Sequence, residues 1–214
     1  MRLTRPALAV ALVASLVSAG AAGAATKPKV KPVCNLLTDP AGDANGFVVT
    51  DTGLPIPSDD YLDVLSGDVA TDAKTLTAAI RLKAVGADST APTGGTLYMN
   101  FAVGDTKMFV DAVLDGKGGA TYSFGDFTGN AGGRKTLGAA TGVIDTAKKE
   151  IRISAPLSGF AVSMKAGTKI SGLEALGQRF FGTSVTGGAT PTADDSTSDK
   201  VYKAGTLSCV KPGK

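Results

Sequence analysis

The stretch Val64-Leu65-Ser66-Gly67-Asp68-Val69-Ala70-Thr71-Asp72-Ala73-Lys74-Thr75-Leu76-Thr77-Ala78-Ala79-Ile80-Arg81-Leu82 decides how this chain is read. Its second half alternates. Leu76, Ala78, Ile80, Leu82 and Ala84 fall on one face; Thr75, Thr77, Arg81 and Lys83 fall on the other. A period of two over that length predicts a strand buried on one side. The first half is apolar and β-branched with interleaved acids, and Thr71-Asp72-Ala73-Lys74 is turn chemistry. The stretch predicts a β-hairpin.

Segments on both sides read the same way. Cys34-Asn35-Leu36-Leu37-Thr38 predicts a first edge strand, followed by a turn cluster at residues 39–46. Leu97, Met99, Phe101 and Val103 alternate with Tyr98, Asn100 and Ala102. Met108, Val110, Ala112 and Leu114 alternate with Phe109, Asp111 and Val113. With Ala120–Phe127 these make an antiparallel meander joined by Gly104-Asp105 and Asp115–Gly119. A Gly-rich loop at Asn130–Arg134 is followed by a second hairpin, Ala139–Asp145 and Glu150–Ser154. Ser158–Lys165 predicts a helical turn. Lys169–Ser184 predicts a long strand bent at Gly172 and Gly177. Val185–Ser198 reads as a loop and Lys200–Cys209 as the last strand. The fold class is therefore all-β: a two-sheet antiparallel sandwich of about nine strands, jelly-roll-like.

Composition agrees. The chain has 28 Gly, and 17 of its 19 acids are Asp, which favours turns over helix. Residues 1–25 read as an export signal: Arg2 and Arg5 precede the apolar run Ala7–Val17, and Ala22-Gly23-Ala24 offers small residues for cleavage. Residues 26–33 read as a flexible lead-in, 34–210 as one domain and 211–214 as a tail. The expected location is extracellular. Losing Arg2 and Arg5 takes the formal charge from +3 to +1, and no basic footprint for nucleic acid remains. No segment after the signal is long and apolar enough to span a membrane. Two cysteines, Cys34 and Cys209, stand near the ends of the predicted domain, and in an exported protein they are expected to form a disulfide.

The chain contains no histidine. That excludes Ser-His-Asp and Cys-His catalysis and histidine-ligated zinc or haem. The expectation is a non-enzyme. What stands out instead is acid clustering: Asp39, Asp43 and Asn45; Asp59, Asp60 and Asp63; Asp194, Asp195 and Asp199. If Cys34 and Cys209 face each other on adjacent antiparallel strands, Asp199 falls opposite Ala44 and Asp195 opposite Val48. The outer clusters then meet at one end of the sandwich. Converging carboxylates repel unless a cation lies between them, and an all-oxygen set selects a hard cation. Asp39, Asp43, Asn45, Asp194, Asp195 and Asp199 are thus the expected ligands of a structural calcium ion. Tyr98 and Phe109, beside Asp111 on the outward faces of neighbouring strands, are expected to form a ligand platform if the sheets bring them together; the alternative is that they pack under a neighbouring loop.

The order of Asp39-Pro40-Ala41-Gly42-Asp43, Leu62–Ser66 leading into Asp68–Asp72 and Thr75-Leu76-Thr77, and the closing Ser208-Cys209-Val210 resembles exported bacterial β-sandwich domains related to the DOMON and family-9 carbohydrate-binding modules. The resemblance implies a non-catalytic jelly roll with a ligand face and structural calcium near the chain ends. It departs from the pattern in two respects. There is no tryptophan to grip a sugar and no histidine to ligate haem. The expected function is a secreted binding domain, for carbohydrate or cell-wall glycan; the alternative is an extracellular structural or protein-interaction domain without a small ligand.

Overall fold

A computed structural model of the chain describes residues 31–44, 59–87, 94–128, 133–179 and 192–213. Twelve strands are present among them: β1 (Leu37–Thr38), β2 (Val64–Thr71), β3 (Thr75–Leu82), β4 (Gly95–Val103), β5 (Thr106–Leu114), β6 (Ala120–Thr128), β7 (Gly133–Ala139), β8 (Thr141–Asp145), β9 (Glu150–Pro156), β10 (Lys169–Arg179), β11 (Thr192–Ser198) and β12 (Tyr202–Lys203). One sheet runs β1-β2-β3-β9-β8. The other runs β11-β10-β4-β5-β6-β7, with β12 also paired to β10. All the strand pairings are antiparallel, and the two sheets pack face to face as the alternating pattern predicts.

The decisive hairpin is β2–β3. Its register pairs Val69 with Ala78 and Gly67 with Ile80, so Leu76, Ala78, Ile80 and Leu82 face inward. They meet Leu97, Met99 and Phe101 of β4, Met108 and Val110 of β5, Ile151 and Ile153 of β9 and Ile170 of β10 in one core. Each of the larger side chains among them contributes about 1.5–3 kcal/mol relative to exposure. Gly67 makes room for this packing, since a Cβ there would stand 2.6 Å from Cε of Met99.

The outer face of β3 departs from the expectation of a solvated side. Thr77 and Ala79 are also buried. The segment after Cys209 crosses this face: Val210 packs on Ala70 and Ala79, and the Gly213 N–H donates to Thr77 Oγ1 at 3.0 Å. On the same face Asp68 accepts from the Leu36 N–H at 3.0 Å and from Arg81 at 2.7 Å.

Three sequence expectations need correction. Ala139–Asp145 is not one strand. The chain leaves the larger sheet at Ala139 and enters the smaller at Thr141, so β7 and β8 lie in different layers. Thr192–Ser198, read as loop, is β11; its polar composition hid a strand whose backbone pairs with β10. Lys200–Cys209 yields only the short β12, and Val33 meets Ser208 in a parallel bridge, not the antiparallel pairing assumed. The predicted helical turn is a 3-10 turn at Leu157–Gly159. The bends at Gly172 and Gly177 are register shifts, as predicted; Gly172 adopts φ +58, which favours glycine.

Cys34 and Cys209 are bonded, with a sequence separation of 175. Closing so long a loop restricts the unfolded chain by about 5 kcal/mol in the chain-entropy account. Replacing both cysteines by serine is expected to lower the unfolding free energy by about 3–5 kcal/mol, read as a lower urea midpoint. An unchanged midpoint would show that the tie contributes nothing.

Candidate metal centre

On one side of the sandwich the edge strands β1 and β11 face each other across the two sheets. Ser198 Oγ donates to the Leu36 carbonyl at 2.6 Å, and Lys200 Nζ to the Asn35 carbonyl at 2.9 Å. The acids gather on this seam.

The turn after β1 supplies the first two. The Asp39 N–H donates to the Leu65 carbonyl at 3.0 Å, fixing the start of the turn on β2. Gly42 takes φ +88, and its N–H donates to Asp63 Oδ2 at 2.7 Å, fixing the end. β11 supplies the third. Asp194 lies opposite Gly177 of β10 and points into the seam. Its Oδ2 accepts from the Val64 N–H at 2.6 Å, and its Oδ1 from the Asp195 N–H at 2.8 Å. Gly177 is what lets the chain before β2 come so close: a Cβ there would stand 2.8 Å from the Leu62 carbonyl.

Asp39, Asp43 and Asp194 each present a carboxylate oxygen, and these atoms lie within 4.8 Å of one another. Asp63 stands beside them with its side chain fully buried. One of its oxygens takes the Gly42 N–H, with Lys83 Nζ 3.8 Å away; Oδ1 has no hydrogen-bond partner. Oδ2 of Asp39 is likewise buried without a partner. The electrostatics follow. Burial, and then Asp43, hold the Asp39 carboxyl above its ordinary range. Burial raises Asp63, partly offset by the Gly42 N–H and Lys83. Burial, reinforced by Asp39 and Asp43, pushes Asp194 up to about 7. The donor set is all oxygen, crowded and short of positive charge, which fits a hard cation.

Of the expected ligands, then, Asp39, Asp43 and Asp194 converge. Asn45 lies outside the described residues. Asp195, one position along β11, points to the opposite face, where its neighbour is Glu174. Asp199 is exposed beyond the strand end. The clusters meet because β1 and β11 are edges on the same side, not because the C-terminal strand pairs with the N-terminal one. The middle cluster divides: Asp59 pairs with buried Arg179, Asp60 with Lys83 at 2.7 Å, and Asp63 joins the centre. Sequence reasoning missed Asp63; its place directly before the β2 run, opposite the Asp39–Asp43 turn, was the available signal.

The expected platform is closed. Phe109 is only 1% exposed. It lies across Gly125, where a Cβ would overlap its ring, and packs edge-on against Tyr98 and Phe127 at 6.1 and 5.9 Å. The Arg134 guanidinium covers Tyr98, 3.9 Å from the ring centroid. Asp111 is buried, accepting from the Ser123 N–H at 3.0 Å and hydroxyl at 2.5 Å; burial raises its carboxyl despite those bonds. These residues form a small second core on the outer face of the larger sheet.

Comparison with family models, curated proteins and solved structures returns no match to this chain.

The raised carboxyls set a pH dependence for the metal-free protein. A folded-state value above the ordinary 3.8 means that the folded chain holds protons the unfolded chain has released. Stability from Asp39, Asp63 and Asp194 is thus present at low pH and is lost as pH rises toward about 7, the Asp194 value. In excess chelator, the melting temperature is expected to fall from about pH 5 to pH 7.5, and Asp194→Asn to flatten that fall. A wild-type profile already flat across this range would contradict the assignment.

Proposed function

We propose that this chain is an exported, non-catalytic β-sandwich module whose two sheets are clamped along one side by a structural calcium ion. One arrangement carries the reading: carboxylates from opposite ends of the chain, Asp39, Asp43 and Asp194, lie within 4.8 Å of one another beside the unpartnered Oδ1 of Asp63. Such a group is self-repelling on its own and satisfied by a hard divalent cation. Calcium accepts six to eight oxygens in flexible geometry, so three carboxylates and solvent suffice. Export is supported by the signal-like residues 1–25 and by a disulfide, which belongs to oxidising compartments. With no histidine and both cysteines bonded, the usual nucleophile–base pairs have no members here. Because Phe109 and Asp111 are buried, a structural or protein-interaction role is favoured over glycan binding at that platform.

The test is a melting curve with calcium and with chelator. At calcium about a hundredfold above Kd, stabilisation is about 2.7 kcal/mol, or roughly 5–10 °C for a domain of this size. Asp43→Ala, an exposed position, is expected to abolish the difference, and Asp199→Ala to preserve it. Identical wild-type curves in the two conditions would overturn the reading.

A further inference from the structure

The two ends of β2 differ in charge. Its first residue, Val64, is held by Asp194 in the acidic seam. Its last, Thr71, lies at the far end of the sandwich. There the Thr71 N–H donates to the Tyr202 hydroxyl at 3.2 Å, and the Gly205 N–H donates to Thr71 Oγ1 at 2.8 Å. These bonds seat the turn at residues 203–206 beside the β2–β3 turn. A strand of eight residues spans about 23 Å. Physiological salt screens exposed charges over about 8 Å, so the seam acids do not neutralise this end. A cleft of about 860 Å³ opens here, with Ala73, Leu157, Met164, Ala166, Leu207 and Val210 among its walls. Val33 lies alongside: its N–H donates to the Leu207 carbonyl at 2.9 Å, and its carbonyl accepts from the Cys209 N–H at 3.1 Å. The Cys34–Cys209 bond braces the pair. Leu207 is 59% exposed, the most of any large apolar side chain among the described residues, and Val33 is 40% exposed.

The segments around the cleft are residues 31–33, 71–74, 157–169 and 203–212. They carry Lys31, Lys74, Lys165, Lys169, Lys203 and Lys211 against one acid, Asp72. All six lysines are exposed, and none forms an ion pair among the described residues. Asp72 is occupied by the Lys74 and Thr75 N–H groups, each at 2.7 Å. Lys165 and Lys211 stand on the cleft wall itself. Lys169 and Lys203 face each other across β10 and β12, and like charges directly opposite on paired strands destabilise them. No two of these lysines are neighbours in sequence, so the fold alone gathers them.

This end therefore joins uncompensated positive charge to exposed apolar side chains on a braced platform. We propose that it docks on a membrane surface rich in anionic lipid. Leu207 and Val33 enter the boundary between headgroups and acyl chains, and the lysines lie at phosphate level with their stems along the apolar surface. The other occupants each leave something unmet. An acidic peptide chain pairs with the lysines and leaves Leu207 and Val33 in water. A neutral bilayer covers those two and leaves the repulsion between Lys169 and Lys203 in place. A single-stranded nucleic acid stacks its bases on aromatic rings, and among the described residues no aromatic side chain lines the cleft.

The experiment is sedimentation of the mature, disulfide-bonded protein with vesicles, at constant calcium. One set of vesicles mixes phosphatidylglycerol with phosphatidylcholine; the other is phosphatidylcholine alone. The protein is expected to sediment with the first, to stay largely in solution with the second, and to be released from the first by high salt. Each lysine near an anionic surface strengthens binding about fivefold, so Lys165→Ala with Lys211→Ala should weaken it about tenfold or more. Leu207→Ser should also weaken it about tenfold or more, with no change of charge. Lys148→Ala with Lys149→Asn is the control. It removes the same charge from the β8–β9 turn, at the other end of the smaller sheet, where the Lys149 carbonyl accepts from the Leu82 N–H. Asn tolerates the φ of +52 at that position, and binding should be unchanged. All these side chains are exposed, so the variants should fold as the wild type does. Any of four results would overturn the proposal: no sedimentation with the anionic vesicles, equal sedimentation with the neutral ones, the same loss in the control pair as in the cleft pair, or undiminished binding of Leu207→Ser. The last is the outcome expected if an acidic chain were the true occupant. The calcium reading stands or falls separately, since none of these variants touches Asp39, Asp43 or Asp194.

Discussion

Every open sheet has two edges whose backbone groups need partners or protection. This sandwich resolves one side by continuity, since β7 and β8 are separated by the single residue Ala140. The other side, where β1 and β11 face each other, has no such link. It is closed by side chains reaching across: Ser198 to the Leu36 carbonyl, Lys200 to the Asn35 carbonyl, and Asp194 to the Val64 N–H. Asp194 is the only one of these that carries negative charge, and it holds the first residue of β2. That bond brings Asp194 to the start of β2, beside Asp39, Asp43 and Asp63.

The same logic explains why the ends of the described chain matter. β1 is two residues long and cannot anchor itself by ladder bonds. It is held by Asp68 beneath Leu36, by the disulfide at Cys34, and by the turn that Asp63 caps at Gly42. The residues after Cys209 lie across β2 and β3 and bury Ala70 and Ala79. A buried carboxylate on each face of β2's sheet, Asp68 outside and Asp63 at the seam, thus fixes segments that would otherwise have little hold. Asp68 has Arg81 as its cation at 2.7 Å. Asp63 has Lys83 only at 3.8 Å, and the charge imbalance of the seam originates there.

Much of this was legible in the sequence where burial is one-sided. The β2–β3 hairpin, the β4–β5–β6 meander and both β10 bulges follow from alternation and glycine placement. β7 and β11 did not show themselves, for two different reasons. Arg134, Lys135, Thr136 and Leu137 of β7 are all exposed, so no face of that strand is selected to be apolar. Thr192–Ser198 is polar apart from Ala193, and its strand pairs with β10. The site was half legible for a related cause. Asp39, Asp43 and Asp194 were readable as acids in turns and near chain ends. Strand alternation, unreadable in a segment taken for loop, sends Asp194 into the seam and Asp195 to the other face. Asp63 was hidden by its neighbours, because Asp59, Asp60 and Asp63 look equivalent until their cations, Arg179 and Lys83, are located.

The one-residue passage at Ala140 has a mechanical consequence. It makes that flank of the protein a spine: the two layers are bound there by covalent chain, with Ala140 itself donating to the Tyr122 carbonyl at 3.0 Å. The opposite flank, where β1 and β11 face each other, is held instead by side chains reaching across and by the disulfide at Cys34, as a book is held at its fore-edge. The acids sit where a clasp would sit on such a book. An ion lodged there would add a further tie between the layers, on the flank that lacks a direct passage of chain from one edge strand to the other.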